Sequence, residues 1–384
     1  MIPDPDTLNP PGADVPSQLP GWRPEHGVLS LYVRIDPGDR SEAWRTEVRN
    51  ALTEATQAGD ADGHDLRKAL TATAGRIQRD LLDEERRGEH RGLIGFVEIS
   101  ATDGEERWYA TQFPPRRNSV LRGPVAQIHQ LLEVLDDGAP LGVAAVSSER
   151  VRLLDWRLGR AEQLHDWELE YFADDWKERK SKRPDPARGE AVSASGRDQY
   201  DQRLEANRER FADQTGRLAH AESRKRGWRG AVVYGDERYV RKFSQGFDDN
   251  SALVHLDGDL VSETVALIEE KVEEALPRLN RDREAALIDR IKEAAYAEGR
   301  SSLGLQETFQ ALGEGRVEHL VYDAGIAYAD VGFDDSADGE DDGLPVIERM
   351  IGMALSTGAA ITPIEGDSAA ALDEQGGVAA LLRY

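Results

Sequence analysis

The sequence contains no cysteine. Disulfides and thiolate metal sites are therefore excluded. No run of about 18 apolar residues occurs, so nothing in the sequence reads as a membrane-spanning helix. The opening MIPDPDTLNPPGADVPSQLPGW has no basic stretch followed by an apolar core. It reads as a flexible leader, residues 1–22, rather than a signal peptide. The eight histidines are scattered and form no pair at metal-ligand spacing on a helix. The acid-rich Asp334–Asp342 does not follow the order of a calcium loop, and no glycine loop cradles a phosphate. No internal repeat and no coiled coil is evident. Together these absences predict a cytoplasmic chain with no metal, no cofactor, no nucleotidase activity and no membrane partner.

What is present bounds the rest. The 384 residues suggest two or three domains, and 39% hydrophobic residues suffice for ordinary globular cores. Charged residues make up 32% and the net charge is −25. That acidity argues against nonspecific nucleic-acid binding over the whole surface. The charge is uneven, however. From Lys177 to Lys242 there are 18 Lys and Arg against 11 Asp and Glu, a local +7, which leaves −32 for the remainder. One basic island in an acidic chain marks where a polyanion would dock. The bland alternative is a solvated helical face with internal salt bridges.

The pattern along the chain predicts three α/β domains. In residues 23–137, Val28–Ile35 reads as a strand, Ser41–Gln57 and His64–Glu85 as helices, and Gly92–Ile99 with Glu106–Thr111 as paired strands. In residues 138–276, Leu141–Val146 and Arg150–Trp156 read as a hairpin that Ala161–His165 extends. A basic loop, Trp176–Ser195, leads into a helix over about Gln199–Lys225, with Leu204, Phe211, Thr215 and Leu218 as its apolar stripe. Strands Gly230–Tyr234 and Ala252–Leu256 and helix Val261–Leu276 follow. In residues 277–384, helices Arg283–Glu298, Gln306–Leu312 and Leu344–Leu355 alternate with strands Val317–Tyr322, Ala360–Ile364 and Val378–Tyr384. Such alternation predicts a parallel or mixed α/β sandwich.

Two segments in the last domain, Ser302–Asp323 (SLGLQETFQALGEGRVEHLVYD) and Gly376–Tyr384 (GGVAALLRY), are similar to the last domain of Pelota and the archaeal and eukaryotic-type class I release factors. In those factors a basic loop carrying Gly-Gly-Gln leads into a long helix, with an arginine four residues past the glutamine. Here Ser195-Gly196-Arg197-Asp198-Gln199 occupies that place and Arg203 sits four past Gln199. The chain thus resembles the Vms-like branch of that superfamily in bacteria, whose members keep a looser Gly-x-x-Gln. The resemblance implies a ribonuclease-H-like α/β middle domain and a C-terminal α/β sandwich of the kind found in ribosomal proteins that bind kink-turn RNA. It implies the ribosome and transfer RNA as partners, a translational GTPase as a further one, and a monomer. No Asn-Ile-Lys-Ser segment occurs in the first domain, so stop-codon reading is not expected and rescue of stalled ribosomes fits better.

The bond at issue is the ester joining a nascent peptide to transfer RNA. A glutamine amide is no general base near neutral pH, but it holds a water and donates to an oxygen. The resemblance makes Gln199 and Gly196 the catalytic candidates and Arg197 and Arg203 phosphate contacts. Lys180, Lys182 and Arg183 in the loop, and Arg224, Lys225 and Arg226 at the far end of the helix, complete the expected RNA-binding set. Arg197 and Asp198 replace two glycines whose backbone would pass close to substrate, which counts against full activity. Arg203, Arg210, Arg217 and Arg224 recur every seven residues, as a stripe along RNA or as partners for Glu205, Glu209 and Asp213. Arg224, Lys225, Arg226 and Arg229 are expected to lack such partners and so to favour RNA. Trp156, Trp167, Trp176 and Trp228 flank the basic region, to pack in a core or to stack on bases. Three functions follow: a peptidyl-transfer-RNA hydrolase, a non-catalytic hibernation or splitting factor, and a transfer RNA acceptor-end endonuclease.

Overall fold

The computed structural model describes residues 8–36, 38–39, 41–57, 63–83, 90–169, 177–178, 194–247, 252–297, 299–326, 328 and 343–384. By contacts it divides into two units, Met1–Asp137 with Asn280–Tyr384, and Gly138–Leu279.

The amino-terminal part of the first unit holds α1 (Val15–Gln18), β1 (Val28–Arg34), α2 (Ala43–Ala55), α3 (His64–Ile77, continued by a π-helical turn to Asp83), β2 (Gly92–Glu98), β3 (Glu106–Thr111), β4 (Ser119–Gly123) and α4 (His129–Asp137). Within the segment expected as a leader, Val15 and Leu19, four residues apart, are both buried. The strands form an antiparallel sheet in the order β3–β2–β1–β4. Trp44, Val48 and Leu52 of α2 and Ala69, Leu70 and Ile77 of α3 pack in the same core as Leu29, Leu31 and Val33 of β1. Sequence reasoning missed β4 and α4. No Ser, Thr, Asp or Asn precedes α4; its capping acid comes from far away. Glu348 accepts from the backbone N–H of Ile128 and of His129, each at 3.0 Å, and sits 2.7 Å from His129 Nδ1.

The second unit holds β5 (Leu141–Val146), β6 (Arg150–Arg157), β7 (Arg160–Glu168), β8 (Lys177–Glu178), α5 (Ala194–Arg226), β9 (Gly230–Gly235), α6 (Glu237–Gly246), β10 (Ala252–Leu256) and the start of α7 (Val265–Ala297). Its sheet runs β10–β9–β5–β6–β7–β8. β10, β9 and β5 are parallel, while β5 through β8 pair antiparallel. β5 and β9 read as near-continuous apolar runs because a central parallel strand is covered on both faces. The expected helices Val261–Leu276 and Arg283–Glu298 are one helix, α7, which continues through Pro277.

The carboxy-terminal part of the first unit holds the end of α7, β11 (Ser301–Leu303), α8 (Leu305–Gly313), β12 (Val317–Asp323), α9 (Val346–Ser356), β13 (Ala360–Ile364), α10 (Asp367–Ala370) and β14 (Val378–Leu382). The sheet order is β11–β14–β12–β13, with only β12 and β13 parallel. Gly376 and Gly377, at φ of 62° and 75°, turn the chain into β14, all five residues of which are buried.

One half-buried histidine in β12, His319, gives this sheet a pH dependence. Burial pushes His319 down to about 4, and Arg290 adds to the effect. Its Nε2 lies 2.9 Å from Thr362 Oγ1. The folded chain keeps the imidazole neutral, whereas the unfolded chain protonates it below about 6.5. Stability is therefore expected to fall as pH drops from about 6.5 towards 4, by on the order of 2 kcal/mol. Urea midpoints at pH 7 and 4.5 measure it, and His319→Asn should shrink the difference. An unchanged difference would show that other groups set the acid limb.

Candidate nucleic-acid interface

The interface is built on α5. Its helix starts at Ala194, five residues before the expected start, so Gly196, Arg197 and Gln199 lie in its first two turns. Lys180, Lys182, Arg183 and Trp176 lie outside the described residues, and the described side chains of α5 begin at Gln202. The buried face is Phe211, Ala212, Thr215, Ala219 and Ser223. Leu218, expected in the stripe, is 39% exposed. A seven-residue spacing drifts about 20° per heptad on a straight α-helix. Two heptads on from Leu204, the true packing positions have moved to Thr215 and Ala219.

α6, which sequence reasoning missed, crosses α5 at very close range. A Cβ on Gly216 would lie 2.0 Å from Phe243 O, and one on Gly246 would lie 2.0 Å from Asp213 O. Backbone meets backbone there, so no side chain can yield. Gly216→Ala is expected to cost about 2 kcal/mol by overpacking. Urea unfolding checks it, and a loss under about 0.5 kcal/mol would refute the close crossing. The signal for α6 was Asp236, whose Oδ1 accepts from Arg238 N at 2.9 Å as an N-cap, followed by Val240, Phe243 and Phe247 at helical spacing.

That crossing decides the electrostatics of α5. Arg238 bonds Glu209 at 2.9 Å and Glu205 at 2.9 Å, and Lys242 lies 3.5 Å from Glu209. The hydrogen bond from Arg238 holds the Glu209 carboxyl below its usual range. Arg208 takes Glu149 at 2.6 Å and Glu205 at 3.5 Å. Asp213 pairs with Arg217 at 3.1 Å, not with Arg210. The acids of α5 are thus engaged along its flanks. Arg203, Arg210 and Arg224 are exposed and have no carboxylate partner among the described residues.

The carboxy-terminal cluster corrects the sequence expectation. Arg226 is ion-paired with Glu222 at 3.1 Å and with Asp155 at 3.2 Å, and Lys225 lies 3.6 Å from Glu222. Burial pushes the Glu222 carboxyl up, but the Arg226 hydrogen bond and the Lys225 and Arg226 charges outweigh it and hold it low. Asp155 is on β6, 71 residues away, where helix spacing does not reveal it. Arg226 thus anchors α5 to the sheet. Trp156, Trp167 and Trp228 are all interior, at 0%, 2% and 8% exposure, and Trp228 Nε1 donates to Asp155 at 2.5 Å.

Between Gln202 and Lys225 the exposed residues of α5 are Gln202, Arg203, Ala206, Asn207, Arg210, Gln214, Arg217, Leu218, Ala221, Arg224 and Lys225. None is acidic, in a chain of net charge −25. A row of guanidinium groups on a helix neutralises phosphates; it holds no metal and offers no nucleophile.

Residues 140–262 match a family described as Bacterial archaeo-eukaryotic release factor family 5. No protein of the curated set matches the chain. Among solved structures, an archaeal translation termination factor, aRF1, is 20% identical, covers 97% of each chain and has a TM-score of 0.25. The Archaeoglobus fulgidus Pelota is 12% identical, over 100% of this chain and 97% of that one, with a TM-score of 0.37. Dom34 of S. cerevisiae, a translation termination-like factor, is 8% identical over 76% and 79%, with a TM-score of 0.40.

Proposed function

We propose that this chain, whose residues 140–262 match a bacterial archaeo-eukaryotic release-factor family, is a ribosome rescue factor that frees nascent peptides by hydrolysing peptidyl-transfer RNA without reading a stop codon. The observation that carries the docking half of this reading is the acid-free exposed face of α5, which lies inside the matched segment. In the chemical half, Gln199 holds the attacking water and donates to the developing oxyanion, while Gly196 leaves room for the acceptor end. The first turn of a helix carries N–H groups without intrahelical partners and a positive dipole end, both suited to phosphate. The sheet order β10–β9–β5–β6–β7–β8, in which the antiparallel β5, β6, β7 and the two-residue β8 are extended by β9 and β10 parallel to β5, supports the ribonuclease-H-like reading of the middle domain. The mixed carboxy-terminal sheet is consistent with the sandwich proposed there.

A second reading keeps the docking and removes the chemistry: a splitting or hibernation factor that occupies the transfer RNA site. The helix running from Ala194 favours it, because Gly196 and Gln199 then share one regular helical backbone instead of a tight glycine loop. Ribosomes carrying peptidyl-transfer RNA separate the readings. Free peptide with intact transfer RNA supports hydrolysis. Peptide on a trimmed acceptor end supports the endonuclease. Tight binding with neither product leaves the non-catalytic factor.

A further inference from the structure

We infer that the exposed face of α5 is a docking surface for double-stranded RNA, bound through its phosphates, rather than for a single strand. This deepens the RNA-docking reading above and rests on it. The first argument is charge. The face presents Arg203, Arg210 and Arg224, which have no carboxylate partner among the described residues, and Arg217 and Lys225, which pair with the half-buried Asp213 and Glu222, while Arg208, Arg238 and Lys242 take up Glu205 and Glu209 from the sides. Every charged residue exposed between Gln202 and Lys225 is therefore a cation, and three of the five are free of carboxylates among the described residues.

The second argument is shape. At 1.5 Å per residue, Arg203 to Arg224 spans about 32 Å on one continuous helix, with about 10.5 Å between successive arginines. The row drifts about 60° around the axis over three heptads, so its guanidinium groups stay on one side. A straight, rigid line of charge fits a target whose phosphates are themselves rigidly placed. A coiling single strand would have to be straightened to match it, at an entropic cost.

The third argument is what the face omits. Proteins that hold single strands stack the bases on aromatic side chains. No exposed residue between Gln202 and Lys225 is aromatic, and Trp156, Trp167 and Trp228 are interior. Tyr239, near the same helix, gives its hydroxyl to Glu205 at 3.0 Å. Three exposed residues beside the arginines, Gln202, Asn207 and Gln214, are neutral amides, a side-chain type suited to phosphate oxygens and 2′-hydroxyls. Double-stranded RNA is recognised mainly by those groups and by shape, since its major groove is too deep and narrow to be read. Contact at this face is therefore independent of base sequence.

The test uses the full chain and two labelled probes of equal nucleotide number, an RNA hairpin with a stem of about 16 base pairs and an unstructured single strand. The hairpin is expected to bind at least about 10-fold tighter. With Arg203→Ala, Arg210→Ala and Arg224→Ala combined, the slope of log affinity against log salt for the hairpin should fall by about 3. Circular dichroism confirms that the variant, altered only at exposed positions, is folded. Equal affinity for both probes overturns the duplex inference and leaves RNA docking intact. Hairpin binding with an unchanged slope in the variant also overturns it, by placing the contact elsewhere. Competition by polyglutamate as effective as the hairpin, at equal charge, would make the face an acidic-protein dock and overturn it too. Ribosome pelleting with the same variant tests the underlying reading separately: undiminished pelleting removes this face from the docking half of the proposed function.

Discussion

Gln199→Ala is expected to lower peptide release from ribosomes loaded with peptidyl-transfer RNA by about 10²-fold or more while leaving ribosome affinity nearly unchanged. The size follows from the role. A side chain that only positions water and donates to an oxyanion contributes to the transition state and little to ground-state binding, so the loss falls on the chemical step. In the proposed function docking falls to Arg203, Arg210 and Arg224, which begin four residues farther along α5 and are untouched by the substitution. Release is measured in single turnover with ribosomes in excess, and affinity by pelleting. Equal release by variant and parent, or a parallel loss of affinity, would remove Gln199 from the chemistry. The pair Arg197→Gly and Asp198→Gly tests the complementary point. Glycine lowers helix propensity by about 1 kcal/mol per residue, so both changes loosen the first turn of α5. If that regular turn limits the reaction, the double variant releases peptide faster than the parent.

Glu348→Ala is expected to destabilise the unit built from the two chain ends by about 3–4 kcal/mol. The carboxyl group is buried, with 3% side-chain exposure, and carries three partners: the N–H groups of Ile128 and His129 and the His129 ring. Alanine would leave two buried backbone donors at the start of α4 with no acceptor, and it would strand the imidazole. Glu348→Gln keeps one oxygen and should fall between the two. Urea denaturation reads the result as a lower midpoint with an unchanged slope. A loss below about 1 kcal/mol would mean that water replaces the carboxylate and that the cap is dispensable.

The same residue marks where sequence reasoning stops. Strands whose burial pattern is local, such as β3, β5, β10 and β13, were legible to the residue, because an apolar run between turn signals is a short-range fact. α4 was not, because its cap is 219 residues downstream of His129. α7 was read as two helices because a proline usually ends one. Here the loss at Pro277 is outweighed by apolar contacts on both sides, with Ile268 and Val272 before it and Ile288 and Ile291 after it all buried. In the candidate interface, the seven-residue arginine spacing was visible, but its electrostatic state was not. Counting acids on α5 alone offered Glu205, Glu209 and Asp213 as partners of the arginine stripe, and only Asp213 takes one, Arg217. In the fold, Glu205 and Glu209 belong to Arg208, Arg238 and Lys242, two of which stand on a helix that the sequence reading did not see.

The unit assembled from both chain ends sets a timetable for synthesis. When residue 137 leaves the ribosome, the carboxylate that completes α4 is still 211 residues behind it (348 − 137). At about 5–20 residues per second, that interval is about 10–40 s. During it the inserted unit, Gly138–Leu279, is completed first, although it begins second. The amino-terminal sheet waits with its α4 end uncapped, so this is the stage at which a nascent chain of this protein is most exposed to chaperones and proteases. A short pulse of synthesis followed by limited proteolysis should find residues 138–279 protected before residues 90–137.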